Sequence, residues 1–173
     1  MRQPPTRTTR PAAVVVAALA AVLVAVGTMA LVLQLGSRGE PETDPAYIGA
    51  EPPTVAAASL CPGLMALLPE ELDAMARREV DSPSPYVAAW GDPPVTLRCG
   101  APAPVDLTAT STLVTVNGVD WFQQTGESGV RWTAVGREIY VDVTVPADNE
   151  AQEAVLVPLS RIVAGSVPES DPS

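Results

Sequence analysis

The stretch that decides the fold is GVRWTAVGREIYVDVTVP, residues 129–146, in which apolar and polar side chains alternate on both sides of a central glycine. Such alternation is typical of two β-strands that each bury one face. We predict a hairpin with its turn at Gly136-Arg137. The pairs across it are Val135 with Glu138, Thr133 with Tyr140, and Arg131 with Asp142.

The two faces of this predicted hairpin differ in chemistry. The residues expected to point into the core are Val130, Trp132, Ala134, Ile139, Val141 and Val143. The opposite face carries Arg131 and Asp142, which we expect to form a cross-strand ion pair on a solvated surface.

A second hairpin is indicated upstream by Asn117-Gly118, because both residues tolerate the positive φ angles of a two-residue turn. It joins Thr112–Val116 to Val119–Gln123. The pairs are Val114 with Trp121 and Leu113 with Phe122. Because these two pairs point to opposite faces, either both faces are covered or the register is shifted by one residue.

Proline dominates the chain before this hairpin. Six of the 24 residues from Asp81 to Pro104 are prolines, which have no backbone N–H for a sheet. We therefore predict an irregular stretch with Val95–Cys99 as its one strand.

Helical spacing follows the first cysteine. Pro62 suits the first position of a helix, and the apolar residues at helical spacing are Leu64, Leu68, Leu72 and Met75. We expect Pro69 to divide this helix, with a second piece from Glu70-Glu71 to Arg77-Arg78 whose charges match the helix dipole.

A further helix is expected after Pro146. Asp148-Asn149 would cap it, and it would run through Glu153 and Leu156. Pro158 would then break it, with Leu159–Ala164 adding a last turn or two.

The chain has two cysteines, Cys61 and Cys99. In an exported domain such a pair is more typical of a disulfide than of a metal or catalytic site. A redox pair is the alternative, but the C-x-x-C spacing is absent.

The N-terminal region predicts a membrane anchor. Ala12–Leu33 is a 22-residue apolar stretch, long enough to cross a hydrocarbon core of roughly 30 Å. A cleaved signal peptide is the alternative, although its apolar region normally has about 7 to 15 residues. Three arginines and no acid precede the stretch, so the positive-inside rule places the N-terminus in the cytoplasm.

Ala13, Ala17, Ala21 and Ala25 form a small-residue seam that would allow weak self-association, unless they only reflect an alanine-rich composition.

Composition excludes several classes of chemistry. The chain has no His and no Lys, and all ten cations are Arg. This rules out Ser-His-Asp relays, His-based zinc sites, Walker A loops and lysine Schiff bases. After residue 37, seven Arg stand against twenty acids, a net charge of -13. Such a domain is not expected to bind nucleic acid.

Only a pair of carboxylates could therefore supply acid-base chemistry. Asp92 and Asp120 are candidates because each adjoins a tryptophan, Trp90 and Trp121, as is common where sugars bind. The structural alternative places Asp92 in a turn before Pro93-Pro94 and Asp120 at a strand edge. No calcium-loop motif and no other metal or cofactor motif is present.

Several segments resemble an actinobacterial family of small membrane proteins, domain of unknown function 3515. They are Cys61-Pro62, SPSPYVAAWGDPPVTLRCG at 82–100, VNGVDW at 116–121 and GREIYVDVTVP at 136–146. The resemblance implies that the cysteine pair and the WGDPP segment are family features. It makes Tyr86, Trp90, Asp92 and Arg98 candidates for a functional surface, and the alternative is that they fix a proline-rich loop to the sheet.

We therefore expect an α+β fold, with a small disulfide-stapled antiparallel sheet, one or two helices on a face and one N-terminal transmembrane helix. The predicted organisation is a basic cytoplasmic tail (1–11), a transmembrane helix (12–35), a Pro/acid-rich linker (36–58), an extracytoplasmic domain (59–167) and a disordered tail (168–173). The expected function is a non-catalytic interaction module of the bacterial cell envelope with an envelope protein as partner. The alternatives are a small-ligand or glycan-binding domain and a carboxylate-dependent hydrolase.

Overall fold

An eight-stranded antiparallel sheet organises the computed structural model, which describes residues 44–127, 129–149 and 153–170. All of these residues belong to the unit Thr43–Ser173. The predicted anchor at 12–35, with its alanine seam, lies outside the described residues. Within the described part of the chain, no helix is long and apolar enough to span a membrane.

The sheet is larger than the sequence predicts. Its strands are β2 (Glu71–Leu72), β3 (Met75–Arg78), β5 (Val87–Trp90), β6 (Val95–Ala101), β7 (Leu113–Val116), β8 (Val119–Gly126), β9 (Gly129–Val135) and β10 (Tyr140–Pro146). The strand order in the sheet is β2-β3-β5-β6-β10-β9-β8-β7. β1 (Ala46–Tyr47) and β4 (Val80–Asp81) form a separate parallel pair. β1 thus lies inside the stretch predicted as linker.

The hairpin at Asn117-Gly118 is confirmed with its register. Leu113 pairs with Phe122 and Val114 with Trp121. Trp121 is fully buried, whereas Leu113 is 38% exposed. One face of this hairpin is therefore in the core and the other is only partly covered.

The hairpin formed by β9 and β10 is confirmed, but its predicted register is wrong by two residues. Val141 pairs with Ala134 and Asp142 with Thr133, because residues 136–139 form a longer connection than a two-residue turn. A shift of two leaves each side chain on its predicted face. All six residues predicted for the core are buried. The Arg131–Asp142 pairing is corrected, since Arg131 lies opposite Thr144 and Asp142 is buried.

The first helix, α1 (Val55–Ala66), begins six residues before Cys61, so the predicted start is wrong. Thr54 caps it by accepting a hydrogen bond from the Ala57 N–H at 3.2 Å, and the alanines that follow favour helix. Pro62 lies inside the helix, where burial of Ala57, Cys61 and Leu64 offsets the missing hydrogen bond.

The predicted helix at residues 70–78 is wrong, because these residues form the β2–β3 hairpin. Asp73 and Ala74 at its turn have φ angles of 48° and 62°, which no right-handed helix contains. Leu72 pairs with Met75. Two apolar residues three positions apart therefore meet in a tight hairpin as well as on one face of a helix.

Two further elements depart from the predictions. β5 falls in the stretch predicted to be irregular apart from Val95–Cys99; all four of its residues are buried. The second helix, α2 (Leu156–Ser166), continues through Pro158, because a proline in the first turn breaks no intrahelical hydrogen bond. Val155, and not Asp148-Asn149, occupies the position before it.

Both helices pack on one face of the sheet, here called the inner face. The predicted disulfide is confirmed: Cys61 in α1 is bonded to Cys99 in β6, with Cα atoms 5.8 Å apart. The three tryptophans, Trp90, Trp121 and Trp132, are all buried in the same core. The other face of the sheet, the outer face, carries the polar side chains of its central strands.

Candidate functional site

Charged and hydroxyl side chains form two neighbouring rows across the central strands of the outer face. In the first row, Asp142 in β10 lies directly opposite Arg98 in β6 and Thr133 in β9. In the second row, Thr144 lies opposite Thr96 and Arg131. Directly opposite residues in an antiparallel sheet have Cα atoms about 4.5 to 5.5 Å apart, so the rows bring these side chains together.

All of these side chains except that of Thr133 line a cavity of about 130 Å³. We call its sheet residues, Thr96, Arg98, Arg131, Asp142 and Thr144, the outer-face site. Ile48 and Gly49 close one wall of the cavity. A second cavity, of about 270 Å³, shares Arg131 and Thr144 and extends along the end of the β8–β9 hairpin. Because they share these two residues, the two cavities adjoin, and we call them together the polar groove.

The wall of the first cavity is held in place by the backbone. The Ala46 N–H donates to the Glu79 carbonyl at 2.9 Å, and the Ile48 N–H donates to the Asp81 carbonyl at 3.0 Å. Arg78 also donates to the Asp44 carbonyl at 2.7 Å. Residues 44–49 are therefore fixed beside the outer-face site.

Asp142 is the buried charge of the site, with 6% of its surface exposed. It accepts a hydrogen bond from the Thr133 hydroxyl at 2.7 Å and contacts Arg98 at 3.4 Å. Burial raises the pKa of Asp142 above its ordinary value of 3.8, while the Thr133 hydrogen bond and the charges of Arg98 and Arg131 partly oppose this. Removal from water thus outweighs its partners.

Arg131 is exposed and makes no hydrogen bond or ion pair with any described residue. It acts on Asp142 only through its charge. The site therefore contains two guanidinium groups, one carboxylate and two threonine hydroxyls, an arrangement that suits an anion.

The chain belongs to the family described as "Protein of unknown function (DUF3515)". The family match covers residues 14–172. No curated protein and no solved structure matches the chain.

Of the candidate residues predicted in this DUF3515 chain, Arg98 alone lies in the outer-face site. Trp90 is buried and donates its indole N–H to the Pro69 carbonyl at 2.9 Å. Trp121 is buried and donates to Ser160 at 2.9 Å. Neither ring therefore offers a surface to a ligand. Tyr86 packs partly buried against the core.

The two predicted aspartates lie elsewhere. Asp120 accepts a hydrogen bond from Thr115 at 2.6 Å on an exposed strand. Asp92 pairs with Arg78 at 3.1 Å and lines a cavity of about 310 Å³ with Asp148. A carboxylic acid that donates a proton is normally buried in apolar surroundings, whereas 70% of the Asp92 side chain is exposed. Asp92 therefore lacks the environment of a general acid, and the outer-face site is the better candidate for a functional site.

Sequence reasoning missed Arg131, Asp142 and the threonines as site residues. The signal was present, because Arg98, Arg131 and Asp142 each stand between inward-pointing apolar residues of a strand. Three charges on the same non-core face predict a shared site only once β6, β10 and β9 are known to be neighbours.

Proposed function

We propose that this DUF3515 chain is a non-catalytic interaction module of the cell envelope, and that it binds its partner through the outer-face site. The observation that carries the proposal is the polar groove, in which the exposed Arg131, unpaired among the described residues, lies beside the buried Asp142 carboxylate. The inner face is occupied by two helices and a closed core, so the outer face is where the sheet offers polar groups.

The disulfide supports an exported location. Cys61 and Cys99 are bonded within the core, and disulfides persist mainly outside the reducing cytoplasm. The apolar stretch at 12–33, preceded by arginines, supports a single-span anchor with the domain outside.

In-cell photo-crosslinking tests the proposal directly. A photoreactive residue would replace Thr96 or Thr144 in the outer-face site, and captured proteins would be identified by mass spectrometry. Val55 and Leu67 serve as controls, because both are exposed and belong to or adjoin α1 on the inner-face side. We expect one recurrent envelope partner from the site positions and none from the controls. No partner at either site position, or equal capture at the controls, would refute the proposed surface.

A small-ligand-binding domain is the second candidate, favoured by the cavity of about 130 Å³ lined by charged and hydroxyl side chains. If the ligand is a small molecule, envelope extracts depleted of protein should still slow the chemical modification of Arg98 and Arg131 in the outer-face site. An interaction module predicts that this protection disappears with the protein fraction.

A further inference from the structure

We infer that the outer-face site recognises a carboxylate at the C-terminus of a peptide segment. The inference rests on the proposed function and names the chemistry of the partner. It is argued from the charge of the site, its hydrogen-bond donors and the shape of the groove.

The charge of the site calls for one negative group. Two guanidinium groups face one carboxylate, so a single positive charge is left over if Asp142 is ionised. Asp142 already places one oxygen on Thr133 and the other towards Arg98. One bound monoanion would complete the balance, whereas a dianion would add repulsion against the Asp142 carboxylate.

The hydrogen-bond donors of the site match a planar carboxylate. Arg98 and Arg131 lie on the strands that flank β10 and are offset by two residues along it, which places their Cα atoms about 12 Å apart. Arginine forks bind carboxylates through two parallel hydrogen bonds. Thr144 on β10 lies between the strands of the two arginines, and Thr96 lies two residues from Arg98 on β6; both line the same cavity and add hydroxyl donors.

The second cavity makes room for the chain that precedes the carboxylate. It begins at Arg131 and Thr144 and continues along Gln124–Gly126 to Glu127. Its lining includes the exposed Gly126, where the absence of a side chain allows close approach of an extended main chain. Glu127 lies at the end of this cavity farther from Arg98. Its charge favours a cationic side chain on a residue that precedes the terminal carboxylate. A free small acid would use only the first cavity.

The test uses the full-length chain, ¹⁵N-labelled and purified in detergent micelles. It is titrated with an equimolar mixture of tetrapeptides of random sequence that carry free C-terminal carboxylates. Parallel titrations use the same mixture with C-terminal amides, and acetate alone. The readout is the chemical shift of the backbone amides of Thr96, Arg131 and Thr144.

We expect the free-carboxylate mixture to shift these signals at concentrations about tenfold or more below those required of the amidated mixture or acetate. Arg131→Gln should weaken this response to a similar extent. Arg131 is exposed and unpaired among the described residues, so its replacement should leave the fold intact. Arg161→Gln is the matched control, because it removes the same charge from an exposed position on α2.

Equal responses to free and amidated peptides would overturn the carboxylate assignment. An acetate response as strong as that of the peptides would overturn the peptide part and leave a small-acid site. Absence of any response would overturn the inference, while a partner captured from Thr96 or Thr144 would still support the proposed function.

Discussion

The indole N–H of Trp121 donates a hydrogen bond to the hydroxyl of Ser160 at 2.9 Å, and both residues are fully buried. This contact joins β8 to α2 in the middle of the core. A buried indole N–H without a partner is costly, and α2 supplies the partner of Trp121 from its second turn. The bond therefore helps to fix where α2 lies on the sheet.

Replacing Ser160 with alanine should lower the free energy of unfolding by about 1 to 3 kcal/mol, because the Trp121 N–H would remain buried without a partner. Ser166→Ala on the same helix is the matched control. The Ser166 hydroxyl oxygen is buried with no hydrogen-bond partner among the described residues, so its loss should be close to neutral. Urea unfolding followed by tryptophan fluorescence measures both. Equal effects at the two positions would contradict this account.

Gly100 should tolerate no side chain. Its φ angle is 79°, and an added Cβ would lie 2.5 Å from the Cβ of Ala57. Ala57 is buried in α1, so Gly100→Ala would push the helix away from β6. We expect a loss of about 2 to 4 kcal/mol from backbone strain and overpacking.

Gly118→Ala separates the two causes. Gly118 has a φ angle of 76°, but an added Cβ would meet no atom within 4 Å. Its cost should be the backbone strain alone, about 1 kcal/mol. If Gly118→Ala destabilised the protein as much as Gly100→Ala, the contact with Ala57 would not be the cause.

The strands were predictable where the signal is local. Asn117-Gly118 fixed a hairpin register because the turn geometry permits few residues. The alternation around Trp132 and Val141 placed each side chain on its correct face even with the register wrong by two. The failure at 70–78 arose because apolar residues three and four positions apart occur in both helices and tight hairpins, and only tertiary packing decides between them. The start of α1 was missed because Pro62, which suits a first helical position, lies inside the helix that Thr54 caps.

The site was less predictable than the fold. Asp142 and Arg98 are distant in sequence and meet only because β6 and β10 are neighbours. The adjacency of Trp90 to Asp92 suggested a binding surface, yet strand alternation places Trp90 in the core and leaves Asp92 beyond the strand end. Asp120 and Trp121 are adjacent in β8, and adjacent residues of a strand point to opposite faces, so they make a poor site pair.

Breaking the disulfide should destabilise the domain by about 3 to 4 kcal/mol, because the bond closes a long loop in the unfolded chain. The two cysteines are 38 positions apart. Urea midpoints of the protein with and without reductant give the difference. The double variant Cys61→Ala, Cys99→Ala should be insensitive to reductant; a midpoint of the native chain that does not move on verified reduction would contradict the prediction.

Asp142 should respond differently to two substitutions. Asp142→Ala leaves the Thr133 hydroxyl and Arg98 without their acceptor, which should cost about 1 to 3 kcal/mol. Asp142→Asn keeps an oxygen for Thr133 and removes the buried charge. Because burial is the largest influence on Asp142, we expect the asparagine variant to be as stable as the native chain at neutral pH, or more stable.

The pH dependence gives the sign of this effect. The folded chain holds the Asp142 proton to a higher pH than the unfolded chain does, since burial raises its pKa above 3.8. Its contribution to stability is therefore complete below the unfolded pKa and is lost as the pH rises through the folded pKa. The native chain should lose stability relative to Asp142→Asn across that window, while carboxylates common to both proteins cancel. Urea unfolding at a series of pH values measures the difference, and a relative gain by the native chain would show that Arg98 and Arg131 outweigh burial.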